Sequence, residues 1–370
     1  MAKIGFIVNP IAGMGGVVGL KGTDGTTVLQ EAVRRGAIPV SPKRAKEFLS
    51  ILPKNPGISL VVAGGRMGAD IARELGLEFV SVNGVGVETA RADTVRIARS
   101  MLKHGIDVLV FVGGDGTARD VLEAVGDHVT VLGVPAGVKV YSSVFAINPL
   151  AAANLVLAFQ AGEIETVKSE VLDIDESEFR KGHLAISLKG YLPTPKAGKL
   201  MQNPKVPSAI SDTEEMETIA DYFEEELIDP SRVYVLGPGV TVDTIAKRLG
   251  VTKKTLLGVD VVKGDGSILG LDLSEAQILP LVENSKVSII VSPIGGQGFF
   301  LGRGNQQISP KVIRSVGVDD LVIVATKNKI GMLWPRRLLV DSGDHDLDES
   351  LRGYRRIIIG YREEMMIKIE

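Results

Sequence analysis

The chain has no cysteine. Disulfides, thiolate nucleophiles and Cys-ligated zinc or iron–sulfur centres are therefore excluded. Histidine is scarce: four residues, at 104, 128, 183 and 345, with no HExxH or comparable spacing. A histidine-based metal site is not expected. An excess of one charge is missing too, with 42 Lys and Arg against 45 Asp and Glu and a net charge of −3. No Lys/Arg stripe interleaves with aromatics, so no nucleic-acid partner is expected. Long apolar runs are few. The start, MAKIGFIVNP, enters a strand pattern with no signal-peptide h-region. One uncharged window, 140–162, holds Asn148, Pro149, Asn154 and Gln160. Asn148 can cap a helix and Pro149 can take its first position. The helix left over, 149–161, is too short to span a bilayer. The expectation is a cytoplasmic protein with no membrane partner.

Glycine, by contrast, is abundant, 43 of 370 residues, which suits an α/β protein with many tight turns. At 370 residues two domains are expected. Apolar strand patterns at 4–8, 58–63, 79–82, 108–112 and 129–134 alternate with helix patterns at 27–35, 42–51, 69–75, 89–104 and 119–125. That alternation predicts a doubly wound, mostly parallel sheet. Ligands of such sheets lie at the carboxyl ends of strands. Glycine-rich loops at 10–16, 64–68 and 113–117 all leave such ends, so the three are expected to converge on a phosphate. Beyond 162 the character changes. Segments 167–175 and 185–192 read as antiparallel strands and 193–212 as an exposed loop. A helix over 213–227 follows, with Asp212 and Glu215 as a capping box and Glu224, Glu225 and Glu226 on a solvated face. The fold class expected is α/β, a doubly wound nucleotide domain at 1–150 followed by a more β-rich α+β domain at 151–330. The closing strands, 331–370, are expected to return to the first domain.

The chain turns on residues 107–120, DVLVFVGGDGTARD. A strand runs into Gly113, Gly114, Asp115, Gly116 and Thr117, and a helix pattern follows from about Ala118. Glycines leave backbone N–H groups uncovered, and a helix N-terminus adds partial positive charge, so phosphate can dock there. A carboxylate beside phosphate is repelled unless it holds a metal ion or takes a proton from an attacking hydroxyl. Asp115 is therefore the expected catalytic residue and metal ligand. Thr117 can cap the helix or touch phosphate. Asn9, Pro10 and Gly13 end the first strand in a similar loop, which continues past Lys21 and Asp24. Gly137 and Lys139 follow the strand after the GGDGT turn and are expected phosphate contacts. A second strand–glycine–helix pattern carries Gly239 and Thr241. Downstream lies a run of Gly295, Gly296, Gln297, Arg303, Asn305, Gln306 and Gln307. Arg303 can grip a phosphate in bidentate fashion, and the amides can read a base or ribose. A second GDG, at 264–266, reads as a hairpin turn. Asp260, a carboxylate inside a predicted strand at 256–262, must be paired or functional.

The GGDGT pentapeptide resembles the signature of the NAD kinase, diacylglycerol kinase and phosphofructokinase superfamily. GGDGTARD, with GVPAGVK at 133–139 after it, is similar to the archaeal-type branch of predicted ATP-NAD kinases. The strand with NPxxG at 9–13 resembles the opening of the same superfamily. The resemblance covers the first 145 residues, and the second half only through its glycine- and glutamine-rich string. It implies that ATP, or inorganic polyphosphate, donates phosphate to the adenosine 2′-hydroxyl of NAD, giving NADP. It also implies a divalent ion, Mg²⁺, and Asp115 as proton acceptor. The partners expected are small-molecule nucleotides and further copies of the chain. The Thr-Pro-Thr-Gly-Ser-type segment and the Asn-Glu pair of ordinary NAD kinases are missing, which leaves the acceptor open. A kinase of another alcohol on the same fold, or a non-catalytic nucleotide sensor, are the alternatives.

Overall fold

The computed structural model describes residues 2–18, 26–52, 57–84, 86, 88–136, 140–174, 186–195, 201, 212–256, 258–283, 285–333 and 335–370. Lys21, Asp24, Gly137 and Lys139 lie outside them. The chain divides into two compact units: Met1–Met14 with Ile38–Pro204, and Gly15–Ala37 with Lys205–Glu370.

The first unit is built on five parallel strands, β1 (Ala2–Val8), β2 (Ile58–Ala63), β3 (Phe79–Val82), β4 (Val108–Gly113) and β5 (Thr130–Pro135). Their order is β3-β2-β1-β4-β5. The register sets Phe6 beside Val62 on one side and Val110 on the other. Both faces are apolar. Phe6, Val62, Val110 and Leu132 enter one core, and Ile7, Val61, Leu109 and Val131 enter the other. Near-continuous Val/Ile/Leu runs are what a parallel sheet buried on both sides requires. The strand order reverses between β1 and β4, which makes their carboxyl ends the switch point of the sheet. The helix Pro149–Gln160 is capped as its local sequence predicts, with Asn148 Oδ1 accepting from Ala151 N at 2.8 Å. Among the described residues no helix is long and apolar enough to cross a membrane.

The hairpin β6 (Thr166–Ile174) with β7 (Ile186–Pro195) is antiparallel as expected but stays with the first unit. Val171 and Leu192 sit in the same core as Phe111 and Phe145, which holds it there. The first unit therefore runs to Pro204, not to 150.

The second unit is more strand-rich and mixed. Its sheet uses β8 (Val233–Leu236), β9 (Asp260–Lys263), β10 (Ile268–Gly270), β11 (Val287–Val291) and β13 (Leu321–Ile323). The order is β10-β9-β8-β11-β13. Strands β8, β11 and β13 are parallel, and β9 and β10 form an antiparallel hairpin at the edge. The second GDG is the turn of that hairpin, with Lys263 N bonded to Ser267 O at 2.8 Å. Two short pairs complete the unit: β12 (Phe299–Leu301) with β14 (Leu339–Val340), and β15 (Gly353–Gly360) with β16 (Glu363–Ile369). Ile357, Ile367 and Ile369 lie in the core of this unit. The closing strands therefore pack here and do not return to the first unit.

Two local expectations fail, the capping box and the extent of the helix, while Glu224, Glu225 and Glu226 are exposed as expected. The capping box does not form. Asp212 Oδ1 accepts from Asn328 Nδ2 at 2.6 Å and Glu215 Oε2 from Asn328 N at 3.3 Å, so both carboxylates serve the start of a distant short helix, Lys327–Gly331. The α-helix there ends at Tyr222 and gives way to a wider turn over Phe223–Leu227. Its exposed glutamates are paired, Glu225 with Tyr361, Glu226 with Arg362 and Glu224 with Arg248.

Candidate active site

At the switch point, β1 runs into Asn9 and β4 into the GGDGT turn. Gly114 is extended and caps the helix Asp115–Val125, so the helix begins three residues before the apolar pattern suggests. Asp115 is its first residue. Two contacts fix that first turn. Asn9 Nδ2 donates to Thr117 Oγ1 at 3.0 Å, while Asn9 Oδ1 accepts from Ile11 N at 3.3 Å. A Cβ at Gly113 would overlap the Thr117 side chain, which explains the glycine.

The next loop joins in. Ala136 N donates to Gly113 O at 3.0 Å. Gly13 has φ +86°, and a Cβ there would overlap Ala136 O. The loops at 9–13, 113–117 and 135–136 are thus in direct contact, so two of the three loops expected to converge do so, and 64–68 is not the third. The fourth loop, 64–68, behaves differently. Gly68 packs its φ +147° backbone on Val62 and Phe6, and Gly64 N bonds to Val82 O at 2.9 Å. Among the described residues no hydrogen bond ties it to the other three. Gly13→Ala is expected to destabilise the first unit by about 2 kcal/mol or more, through the left-handed backbone and the overlap with Ala136. A denaturant melt reads this, and an unchanged midpoint would remove Gly13 from the argument.

Asp115 is only 8% exposed. Its Oδ2 accepts from Tyr141 N at 2.8 Å, and its Oδ1 from Ser142 N at 2.9 Å and Ser142 Oγ at 2.6 Å. Ser142 Oγ in turn accepts from Leu172 N at 3.0 Å, so β6 holds the serine that holds the aspartate. Burial pushes the Asp115 carboxyl up to about 6, against those three donors, and the nearby Asp173 charge adds to the rise. Asp173 is itself paired with Arg119, Nη1 to Oδ2 at 2.7 Å. Burial, with the Asp115 charge, also pushes the Tyr141 phenol up. Sequence reasoning did not assign Tyr141 and Ser142 to Asp115; their only signal was their place after the strand next to the GGDGT strand. Ser142→Ala removes the shortest of the three donors. The Asp115 carboxyl is then expected to titrate still higher, read by the carbon-13 shift of labelled aspartate. An unmoved titration would mean that Ser142 does not tune it.

The remaining expected site residues lie in the second unit. Gly239 caps the helix Val240–Arg248, and Thr241 sits in its first turn. Thr241 Oγ1 and Ser292 Oγ, at the end of β11, both meet Lys329 Nζ, at 3.1 and 2.9 Å. Gly295, Gly296 and Gln297 form a tight turn in which Ile294 O accepts from Gln297 N at 3.2 Å and Gly298 N at 2.9 Å. Arg303 differs from expectation. It is 1% exposed, its Nε reaches Asp341 Oδ2 at 3.2 Å, and its guanidinium lies 4.2 Å from the Phe299 ring centroid. That arginine braces β12 against the segment after β14. Asn305 Nδ2 donates to Phe300 O at 2.8 Å. The side-chain oxygens of Asn305, Gln306 and Gln307 are buried with no hydrogen-bond partner. Asp260 is paired, not turned to a ligand: Lys253 Nζ lies 2.6 Å from its Oδ2.

Comparison with known proteins covers most of the chain. Residues 4–164 match the family described as ATP-NAD kinase N-terminal domain, and residues 231–369 match the ATP-NAD kinase C-terminal domain. No curated protein matches. Among solved structures, a crystal structure of UDP-N-acetylglucosamine 2-epimerase aligns at 12% identity over 95% of this chain and 87% of that one. Its TM-score of 0.26 gives the likeness no weight.

Proposed function

The chain belongs to the ATP-NAD kinase family and is an ATP-dependent kinase; from that premise we propose that it phosphorylates the adenosine 2′-hydroxyl of NAD, giving NADP. ATP is the donor, with inorganic polyphosphate as the second candidate. The bond that forms joins the 2′-oxygen to the terminal phosphorus. The bond that breaks joins that phosphorus to its bridging oxygen, and ADP leaves with the electron pair. The hydroxyl proton goes to Asp115.

One observation carries this reading: a buried carboxylate at the head of a helix, beside glycine-rich loops, held with one lone pair to spare. Asp115 offers about four acceptor positions, and Tyr141 and Ser142 fill three of them. One position on Oδ2 remains for the acceptor hydroxyl. A carboxyl at about 6 is ionised at neutral pH and still basic enough to take a proton in flight. The N–H groups of the loops at 9–13 and 113–117 would steady the phosphates, a positioning and electrostatic role. Asn9 and Thr117 hold those two loops in register.

Mg²⁺ enters on this reading with the donor phosphates, as part of the substrate. The donor set does not fit a resident ion. Three positions of Asp115 are taken, and among the described residues no group of three His, Asp or Glu side chains is placed to hold a metal ion.

The test is NADP formation by the purified full chain with NAD, Mg²⁺ and either ATP or polyphosphate. Product with one donor settles donor and acceptor together. Turnover of ATP only with a different hydroxyl compound keeps the kinase and replaces the acceptor. Saturable nucleotide binding with no turnover of any acceptor would leave a sensor.

A further inference from the structure

The helix that opens on Asp115 carries a stripe. Asp115, Arg119 and Leu122 stand at positions i, i+4 and i+7 of Asp115–Val125 and so share one face. All three meet the hairpin of β6 and β7. Asp115 does so through Ser142, whose Oγ accepts from Leu172 N at 3.0 Å and lies 3.1 Å from Leu172 O. Arg119 does so directly, Nη1 to Asp173 Oδ2 at 2.7 Å. Leu122 packs on Gly190, its Cδ2 3.0 Å from where a Gly190 Cβ would stand.

The hairpin is shaped for these contacts. Val171 faces Gly190 and Leu172 faces Leu188, so Lys189 is an extra residue on β7. A bulge of this kind bends the strand and re-aims what the pair presents. It falls at the residues that meet the helix. Gly190 holds φ +153° and brings its backbone closer to Leu122 than a side chain would allow. Leu172, at the bulge, bonds Ser142, and the next residue, Asp173, bonds Arg119. Ser143 N also donates to Glu170 O at 2.9 Å, so the segment that clamps Asp115 is fastened along β6.

Arg119 works as a fork. Its Nε and Nη2 lie on Asp120 Oδ1, at 3.2 and 3.1 Å, which leaves Nη1 aimed at Asp173. Asp120 Oδ1 is held in turn by Arg91 Nε at 2.6 Å. The Asp120 and Asp173 side chains are 9% and 17% exposed, so this network is screened less than a surface ion pair. One tether between helix and hairpin would leave a pivot. Two tethers, one helical turn or about 6 Å apart along the axis, fix the rotation as well.

We propose that Arg119 is a positioning residue for phosphotransfer: through Asp173 it locks the helix of Asp115 to β6, so that the carboxylate and its clamp hold one geometry. The inference rests on Asp115 being the base, as argued above. Arg119 touches no reacting atom. A misplaced base slows the chemical step and leaves substrate binding alone, and a shift of about 1 Å is enough to lower a rate by about 10²-fold.

Two readings of the full chain test it, kinetics and amide exchange resolved by NMR. Arg119→Gln is expected to lower kcat by about tenfold or more while KM for ATP and NAD each stay within about twofold. Arg119→Lys keeps a charge for Asp173 and should regain part of that loss. Exchange in Arg119→Gln should quicken at Tyr141 and Ser142, whose N–H groups donate to Asp115, and stay as in the wild type over β4. The exchange reading needs no substrate: a wild type that makes no NADP sinks the base assignment, and exchange at Tyr141 and Ser142 still decides whether Arg119 holds the clamp. Unchanged exchange there in a folded Arg119→Gln, or a raised KM at unchanged kcat, overturns the proposal. If Arg119→Gln loses the wild-type circular dichroism, Asp173→Ala decides by the same exchange: faster at Tyr141 and Ser142 supports the proposal, and unchanged overturns it.

Discussion

Asp115→Asn is expected to lower phosphotransfer by about 10²–10⁴-fold while ATP binding stays within a few fold, because it deletes the base and keeps the shape. The amide oxygen can still accept from Ser142 N and Ser142 Oγ. The new NH₂ faces Tyr141 N, a donor, so one contact is lost. Stability moves the other way with pH. The folded carboxyl titrates at about 6 against 3.8 in the unfolded chain. Below 3.8 both forms are protonated and the contribution of Asp115 is fully present. As pH rises the unfolded carboxyl ionises first, and the contribution is lost through the folded value near 6. Two units correspond to a loss on the order of 3 kcal/mol. The Asn variant has no such loss, so it should melt at or above the wild type at pH 8 and below it at pH 4. Turnover that survives in Asp115→Asn would sink the base assignment. Turnover lost together with melting temperature at pH 8 would point to a structural role instead.

The same residue shows what the sequence discloses and where it stops. Strands β2 and β3 were legible to the residue, because each is a local apolar run bounded by glycine or polar residues. The cap at Asn148 was legible for the same reason, since donor and acceptor are three residues apart. The convergence of the glycine-rich loops was legible only in part: the first and the GGDGT loops meet as expected, but the 135–136 loop joins them where 64–68 was expected. The clamp on Asp115 was not legible, for its donors lie 26 and 27 residues away across a loop. Arg303 among glycines looks like a phosphate ligand until Asp341, 38 residues on, turns it inward. Asp212 and Glu215 satisfy a capping rule that Asn328 overrides from 116 and 113 residues away. Lys329 drew no attention at all, because nothing within its own helix marks it.

Lys253→Met is expected to destabilise the chain by about 3–5 kcal/mol. Both side chains of the pair have no exposed surface, and Nζ lies 2.6 Å from Asp260 Oδ2. Asp260 Oδ1 also accepts from Asp272 N at 2.8 Å, so the carboxylate is held on two sides. Methionine fills the volume of lysine but leaves that carboxylate buried with one donor. The cost is the stranded charge, not the lost attraction, and this distinguishes the pair from an exposed ion pair such as Lys46 with Glu74. Lys253→Met with Asp260→Asn should therefore recover much of the loss, since the amide can still accept from Asp272 N. Urea melts of the wild type and the two variants decide it. A single variant within 1 kcal/mol of wild type would mean that water reaches the carboxylate. The pair also braces the end of β8. Lys253 Nζ reaches Leu236 O at 3.4 Å, the residue before Gly237, and Asp260 pairs with Leu236 across the sheet. Losing the lysine loosens the end of the strand that presents the 237–239 loop. Lys253→Met should then show faster exchange at 237–243 before any ligand is added, and the double variant should not.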